Sequence, residues 1–448
     1  MSYEDFLRRK AVSDVYGGFT YDDLNPNLFD FQNAIVHWAL KKSRAAIFAD
    51  TGLGKTLMQL SWADAVCKYT GGKVLIVTPL CIAPQTLNEG LNFGIISKYC
   101  RHPLETLHDN IIIVNYEMLD YFDASDYIGV VLDESSILKG IDSKTRSQVI
   151  KKFENVPYRL SCTATPSPND YMELGSQAEF LGVMKHTEML AMFFTHDGKE
   201  TSKWRLKGHG KSKFWEWLST WAVFIRNPED LGFDGSRYEL PPLRIFDHQI
   251  HVDHPVANTM NERRIARKNS ITDRCQTLAD IVNNSNEYHV VWCNLNEESS
   301  LLSNLIPDAV EVSGSMPTRV KEQRLMSFSR GESRVIVSKP KIAGYGLNWQ
   351  HCRKVGFAGL DDSFEKYYQA VRRCYRFGQT REVHVDIIYS SAEGAVKANL
   401  ERKQMQADIM ADEMINHMRD FTRKEVIGTT KERTDYKPSK SLEIPSWL

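Results

Sequence analysis

Two series of short apolar runs dominate the pattern of this 448-residue chain. The first comprises residues 45–49, 74–78, 111–114, 128–132 and 158–162; the second comprises 289–293, 309–312, 335–338, 355–358 and 383–389. Turn residues bound each run, and the segments between runs are long enough to form helices. Strands that are buried on both faces of a parallel sheet are continuously apolar. The pattern therefore predicts two α/β lobes in tandem, each a parallel sheet covered by helices.

The segments outside these runs divide the rest of the chain. We predict a polar, turn-rich lead-in over residues 1–27 and a flexible, proline-containing tail over residues 428–448. Between them we predict a first lobe over 28–174, a helical insertion and hinge over 175–242, and a second lobe with a C-terminal helix over 243–427.

The insertion is rich in tryptophan and lysine and contains no run that predicts a strand. We place the hinge at residues 240–242, because proline fixes φ and stops a helix. The basic and aromatic residues near the centre are Lys203, Arg205, Lys207, Lys211, Lys213, Trp204, Trp215 and Trp217. Such a mixture can grip phosphates and stack bases. The alternative is an amphipathic helical segment whose tryptophans lie in the core and whose lysines are solvated.

A long C-terminal helix is predicted over residues 392–421. Its apolar positions among charged residues are Val396, Leu400, Ile409, Met414 and Met418. We expect this helix to pack on the second lobe, with the methionines filling the core. The apolar end of the tail, residues 444–448, could dock on a protein partner or on the chain itself.

The composition limits which cellular compartment and which binding partners are expected for the chain. Lys and Arg total 56 against 57 Asp and Glu, so any nucleic-acid surface must be local. The 8 cysteines include no C-x-x-C pair, which argues against a zinc site and for reduced thiols in a cytosolic-type compartment. No apolar run approaches the length of a membrane span. We therefore expect a soluble, intracellular chain without a membrane partner.

A candidate phosphate-binding turn follows the first apolar run. Residues 49–56 read Ala-Asp-Thr-Gly-Leu-Gly-Lys-Thr, so a strand would end in a glycine turn that opens a helix. Backbone N–H groups in such a turn and the helix N-terminus bind anions. The strict motif has glycine where this chain has Ala49, but its second half is intact. The alternative is an ordinary glycine-containing turn between a strand and a helix.

Each residue of this turn has an expected role. Thr51, Gly52 and Gly54 would surround the phosphates of a nucleotide. Lys55 would reach the β- and γ-phosphates, and Thr56 would bind a magnesium ion.

Two acids at the end of a neighbouring predicted strand strengthen this interpretation. Asp133 could hold the magnesium, and Glu134 could orient and deprotonate an attacking water. Residues 161–166, Ser-Cys-Thr-Ala-Thr-Pro, end the next predicted strand with two hydroxyls close to the acids, which could sense their geometry. Together with the phosphate-binding turn, the two acids predict hydrolysis of a β–γ phosphate bond.

The order of these segments resembles that of the superfamily-two helicases and translocases, in particular the SWI/SNF-like branch in its compact bacteriophage or bacterial form. The similarity spans about residues 28–400. The matching segments are Phe31-Gln32, 115–119, 133–139, 225–230, 240–241, 313–315 with Arg319, 338–348 and 369–379. The last of these, with glutamine, two arginines and Gly-Gln at fixed spacing, is the most specific.

This resemblance implies an α/β fold with two tandem RecA-like lobes, a helical insertion in the first and a C-terminal helix. It implies ATP and Mg²⁺ as ligands, with Gln32 reading the adenine and Gly346 contacting the nucleotide. Gln369, Arg373 and Arg376 would complete the catalytic site from the second lobe, the two arginines as fingers on the phosphates.

The chain also departs from the family pattern. Ser135 and Ser136 follow the acids where the family has a histidine, so the catalytic base could be coupled to the second lobe through different contacts. Gln85 stands near the usual tryptophan. Arg372 is expected to face outward or towards DNA.

Candidate nucleic-acid contacts follow from the resemblance and from the basic insertion. They are Thr78, Asn115, Lys139, Lys144, Arg146, Lys203, Lys207, Lys211, Ser313, Ser338 and Lys341. Contacts of this kind position a nucleic-acid backbone and imply little sequence preference.

The sequence thus predicts an ATP-dependent DNA helicase or translocase that couples DNA-stimulated ATP hydrolysis to movement along DNA or its remodelling, at replication, recombination or repair forks and junctions. The alternatives are an RNA-dependent helicase and a nucleotide-gated DNA-binding module without productive cycling. The expected location is the cytoplasm of a bacterial cell or of a phage-infected host.

Overall fold

The computed structural model describes residues 17–106, 109–139, 144–167, 170–197, 200–251, 260–344, 347–361, 363–391 and 394–427. The predicted tail and its docking segment lie outside these ranges, as do residues 1–16 of the predicted lead-in. No helix in the described ranges is long and apolar enough to cross a membrane.

The first lobe is built on a parallel sheet with the order β3-β4-β2-β5-β6-β1-β9. The strands of this lobe are β1 (Arg44–Ala49), β2 (Val74–Thr78), β3 (Lys98–Tyr99), β4 (Ile111–Asn115), β5 (Gly129–Asp133), β6 (Tyr158–Thr163), β7 (Phe194–Asp197), β8 (Glu200–Leu206) and β9 (Ala222–Ile225). Strands β7 and β8 form a separate antiparallel hairpin. Strands β1, β2 and β5 are buried along nearly their whole length because helices cover both faces of the sheet.

The helices of the first lobe alternate with its strands. They are α1 (Asp30–Lys42), α2 (Lys55–Thr70), α3 (Ala83–Asn92), α4 (Lys144–Lys152), α5 (Leu174–Leu181), α6 (His186–Phe193) and α7 (Lys211–Ser219). Parallel strands joined by helices place all their carboxyl ends at one edge, where a ligand site is expected.

The second lobe repeats this architecture around a parallel sheet with the order β10-β15-β14-β11-β13-β12. Its strands are β10 (Leu243–Ile250), β11 (His289–Trp292), β12 (Ala309–Val312), β13 (Val335–Ser338), β14 (Lys354–Phe357) and β15 (Val383–Ser390). Its helices are α8 (Met260–Asn269), α9 (Ile271–Asn283), α10 (Asn296–Leu305), α11 (Thr318–Ser329), α12 (Pro340–Ala343), α13 (Phe364–Val371) and α14 (Gly394–Ile427). The predicted fold class, two tandem α/β lobes with parallel sheets, is confirmed.

The insertion differs from its prediction as a strandless segment. It contains the β7–β8 hairpin and β9, which pairs with β1 and so completes the first sheet. The hairpin was missed because its strands are largely polar, and β9 because its 4 residues directly follow the tryptophan-rich helix α7. Trp215 and Trp217 are buried in the core of the first lobe, as the alternative interpretation held.

The C-terminal helix α14 also differs from its prediction. Val396 and Leu400 pack into the core of the second lobe as expected, but Met414 and Met418 pack into the core of the first. The helix thus packs on the second lobe as predicted, and its contact with the first lobe was not foreseen. The 34 residues of α14 extend about 50 Å at 1.5 Å per residue, which is enough to cross both lobes.

Candidate nucleotide-hydrolysis site between the lobes

The phosphate-binding turn has the expected strand-turn-helix geometry. Strand β1 ends at Ala49, and helix α2 begins at Lys55. Gly52 and Gly54 have positive φ angles of 94° and 78°, which favour glycine. A Cβ atom on Gly54 would lie 2.2 Å from Nε2 of Gln32, so the close approach also requires glycine.

Lys55 is held at the end of the strand. Its Nζ donates to the carbonyl oxygens of Ala49, at 2.7 Å, and Asp50, at 3.3 Å. Burial lowers the pKa of Lys55, and the charges of Glu134 and Asp50 partly oppose that shift. Thr56 follows in the first turn of α2.

Gln32 connects helix α1 to the turn. Its Oε1 accepts from the backbone N–H of Phe29 at 2.9 Å, and its Nε2 donates to the carbonyl of Leu53 at 2.8 Å. The side chain is buried between these partners. An adenine contact by Gln32 stays a prediction.

The two acids at the end of β5 lie beside the turn, and both are buried. Asp133 accepts from Nε2 of Gln59 at 2.7 Å and from the hydroxyl of Thr78 at 3.1 Å. Glu134 has a positive φ angle of 49°, which is unusual for a residue other than glycine. The hydroxyl of Thr163 donates to Glu134 at 3.5 Å and accepts from the backbone N–H of Thr165 at 3.1 Å.

The electrostatics suit Glu134 to proton transfer. Burial raises its pKa, and the neighbouring Asp133 raises it further. The charges of Lys55 and Arg373 and the hydrogen bond from Thr163 oppose this shift. The net direction is upward, which favours a carboxylate that can accept a proton.

The second lobe contributes two arginines from the segment after α13. Arg373 is buried and donates to the carbonyl of Leu347 at 3.2 Å and to Oε1 of Gln369 at 2.8 Å. Arg376 donates to the same carbonyl of Leu347 at 3.1 Å. Burial and the adjacent Arg376 lower the pKa of Arg373 to about 10, whereas Glu134 acts in the opposite direction. The two lobes therefore bring opposite charges together.

Sequence reasoning missed a third carboxylate in this crevice. Glu89 on α3 accepts from Nε2 of Gln85 at 2.7 Å, and Oε1 of Gln85 accepts from the backbone N–H of Asn348 at 3.0 Å. Burial raises the pKa of Glu89, while Gln85, Arg376 and Thr56 oppose the shift. Gln85, noted as a departure from the family pattern, thus connects α3 to the second lobe.

Sequence reasoning also misjudged Arg372, which we expected to face outward or towards DNA. Nη2 of Arg372 lies 2.9 Å from the carboxylate of Asp50, and its side chain is only 14% exposed. That expectation was wrong, because the sequence around Arg372 could not reveal a partner 322 residues away in the chain.

Three predicted nucleic-acid contacts are buried at strand ends. Thr78 binds Asp133, Asn115 accepts from the N–H of Met118 at 3.0 Å, and Ser338 donates to a carbonyl at 2.9 Å. Their side chains are engaged inside the protein in this conformation.

Several predicted basic contacts have internal partners. Lys139 pairs with Glu365 across the lobes, Arg146 pairs with Glu179, and Lys211 pairs with Glu413 at 3.2 Å. Lys207 donates to the carbonyls of Ala191 and Met192.

The other predicted contacts lie nearer the surface or have only a backbone position. Lys341 is exposed, and Ser313 is half-buried beside Ser315. Lys144 begins α4, and Lys203 lies in β8. Gly346 lies outside the described residues.

The residues around the turn fit a nucleotide with its magnesium ion. Thr56 and Asp133 offer the hard oxygen ligands that Mg²⁺ prefers, and the described residues contain no group of three or more His, Cys, Asp or Glu side chains placed to hold a metal ion by themselves. A magnesium ion of this kind is completed by water and phosphate oxygens, so two protein ligands suffice.

A candidate phosphate-binding turn on one parallel sheet, faced by two arginines from another, is the arrangement that hydrolysis of a nucleotide would need. Residues 273–378 in the second lobe match the helicase conserved C-terminal domain. The helicase resemblance predicted from the sequence is confirmed.

Two further similarities concern individual proteins. Protein p41 of Acyrthosiphon pisum secondary endosymbiont phage 1 is 26% identical over 177 residues, which are 34% of this chain and 38% of that protein. The chain thus matches well under two thirds of this relative's length. The structure of a Sulfolobus solfataricus SWI2/SNF2 ATPase core in complex with dsDNA has 16% identity and a TM-score of 0.43, covering 93% of this chain and 100% of that one.

Proposed function

We propose that the chain is an ATP-dependent DNA helicase or translocase of the SWI/SNF-like branch, acting in the cytoplasm of a bacterial cell or a phage-infected host. The observation that carries this proposal is the convergence of Lys55 and Glu134 from one lobe with Arg373 and Arg376 from the other. Hydrolysis of a β–γ phosphate bond needs this set of charges in one crevice.

In the first part of the mechanism, the turn binds the phosphates. Lys55 exchanges its two carbonyl partners for phosphate oxygens, which restores a charged partner for a buried cation. Thr56 and Asp133 would hold the magnesium, which supplies charge neutralisation at the phosphates when it is bound.

Glu134 then acts on the attacking water. Its raised pKa and its position at the end of β5 suit it to take the proton. Thr163 holds one carboxylate oxygen, which fixes the direction of the other.

Arg373 and Arg376 complete the site. Both arginines donate to the carbonyl of Leu347, which holds them in the crevice. Each guanidinium has further N–H groups that could bind a phosphate from this position. Positive charge placed there stabilises the transition state more than the ground state.

Turnover measurements on purified protein test this function. Duplex DNA, single-stranded DNA and RNA are compared as activators of ATP hydrolysis, and we expect stimulation by DNA. Lys55→Ala and Glu134→Gln should abolish turnover, whereas Arg373→Ala and Arg376→Ala should retain ATP binding and slow hydrolysis by about a thousandfold.

The control is Lys68→Ala, a lysine that lies on the same helix as Lys55 and is 54% exposed. Stimulation by RNA alone would identify an RNA-dependent helicase instead. Nucleotide-dependent DNA binding without turnover would identify a gated binding module.

A further inference from the structure

Asp50 lies inside the phosphate-binding turn, yet its side chain is bound by the other lobe. Oδ1 accepts from the hydroxyl of Tyr368 at 2.6 Å, and Oδ2 accepts from Nη2 of Arg372 at 2.9 Å. Oδ1 also accepts from the backbone N–H of Thr51 at 2.7 Å. One carboxylate therefore joins the turn to the end of α13.

This contact is shielded from solvent. The side chains of Asp50 and Arg372 are 11% and 14% exposed. The guanidinium of Arg372 lies over the rings of Tyr368, at 5.1 Å, and Tyr375, at 5.3 Å. Cation–π contacts strengthen when they are desolvated, and losing one partner of a buried ion pair leaves an uncompensated charge.

The contact adjoins the groups that act on ATP in the proposed function. The carbonyl of Asp50 accepts from Lys55, so the same residue touches the lysine of the turn through its backbone. Arg372 directly precedes Arg373, and Arg376 follows one turn later. A shift of this contact would displace both arginines relative to the phosphates.

We propose that Asp50, Tyr368 and Arg372 form an interlobe latch that positions Arg373 and Arg376 over the phosphate-binding turn. The three are positioning residues, since they act through the two arginines. The latch closes only when the lobes meet because its partners lie on different lobes. This inference rests on the proposed function for the role of the arginines, but the contact itself does not.

The interlobe ion pair between Arg101 and Glu322 lacks this placement. Arg101 binds Glu322 through Nη2 at 2.8 and 2.9 Å, but the arginine side chain is 43% exposed and lies at the far edge of the first sheet. Exposed pairs stabilise little because water and salt screen them. Arg101→Gln is therefore the matched control for a broken arginine–carboxylate pair across the lobes.

The first experiment compares DNA-stimulated turnover in Arg372→Gln, Asp50→Asn and Tyr368→Phe. We expect kcat to fall about tenfold in the first two and about threefold in the third, with the KM for ATP within about twofold of the parent value. A lower kcat with a nearly unchanged KM is expected because the turn still binds ATP while the arginines are misplaced.

Two variants separate the latch from a loss of folding. Arg372→Lys, which keeps the charge, should recover part of kcat, and Asp50→Asn/Arg372→Gln should be no slower than the worse single variant. Arg101→Gln should match the parent. Additive losses in the double variant, or an unchanged kcat in Arg372→Gln, would overturn the proposal.

The second experiment does not depend on hydrolysis. Amide hydrogen exchange is measured without nucleotide or DNA in the two segments that the latch joins, residues 50–54 and 368–376. Asp50→Asn should speed exchange in the second segment, and Arg372→Gln in the first, whereas Arg101→Gln should change neither. Changes confined to the mutated lobe would refute the latch, while an inactive parent protein with reciprocal exchange effects would refute only the proposed function.

Discussion

Glu134 combines an unusual backbone with an unusual charge environment. Its φ angle of 49° lies in the left-handed region, where a residue with a Cβ is strained by about 1–3 kcal/mol. The conformation turns the carboxyl group from the end of β5 into the crevice between the lobes. A replacement that keeps the backbone and removes the charge is therefore the cleanest probe of this residue.

The pH dependence of turnover should report the pKa of Glu134. A base works when deprotonated, so activity should be present above its pKa and should fall as the pH drops through it. Because burial raises that pKa, the acid limb should lie above the 4.5 of a free glutamate. Thr163→Val removes a hydrogen bond that lowers the pKa, so the limb should move to higher pH.

The measurement is kcat/KM for ATP between about pH 5 and 8, with Lys68→Ala as the reference for unrelated pH effects. If the acid limb of the pH profile does not move in Thr163→Val, the limb reports the titration of a group other than Glu134.

At the scale of elements, the C-terminal helix α14 is stabilised at both ends by different lobes. Near its C-terminal end, Glu425 pairs with the buried Lys42 of α1 at 2.8 Å. In its middle, Arg226 binds Asp408 and Asp412, which extends the contact to the loop after β9. The helix thus ties the last part of the first sheet to the second lobe.

Truncating a methionine on the buried face of α14 should destabilise the protein. Met414→Ala is expected to lower the free energy of unfolding by about 2–5 kcal/mol, because it leaves a cavity in the core of the first lobe. Met405→Ala on the same helix is the control, since Met405 is 66% exposed and should change it by less than about 0.5 kcal/mol. Urea unfolding measures the free energy of unfolding of both variants. If Met414→Ala loses no more of it than Met405→Ala, the packing of Met414 does not contribute to stability.

Elements with a continuous apolar run could be predicted from the sequence, and less regular ones could not. The predicted run at residues 74–78 coincides with β2, whereas the exposed edge strand β10 has a mixed pattern and was missed. The same distinction between predictable and unpredictable features applies to the residues of the site. Lys55 and the turn follow from local spacing, but the bond between Asp50 and Arg372 depends on how two lobes dock, which no local pattern encodes.

At the scale of the molecule, the near-zero net charge means that the proposed DNA binding would depend on a few local cations. Lys341 on α12 is exposed at the carboxyl end of β13, the edge where the sheet of the second lobe faces the crevice. It is the predicted basic contact with the most direct access to solvent among those whose side chains are described.

Lys341→Ala should weaken DNA binding uniformly across sequences and reduce the slope of log K against log salt by about 1. Each phosphate contact releases condensed counterions, which is why the slope counts contacts. Fluorescence anisotropy at several salt concentrations measures it, and Lys68→Ala should leave the slope unchanged. An unaltered slope in Lys341→Ala would remove this residue from the DNA path.

Under the proposed function, the attachment of α14 to both lobes also limits how far the lobes could move relative to each other in one step along DNA. One base step along DNA is about 3.4 Å, whereas one turn of an α-helix rises about 5.4 Å. Lobe movements of one base step are thus shorter than the distance needed to shift Met414 and Met418 into the next turn's positions. A relative movement of one base step would therefore be shorter than one turn of α14, whereas a displacement of about 5.4 Å or more would carry Met414 and Met418 past their contacts in the first lobe.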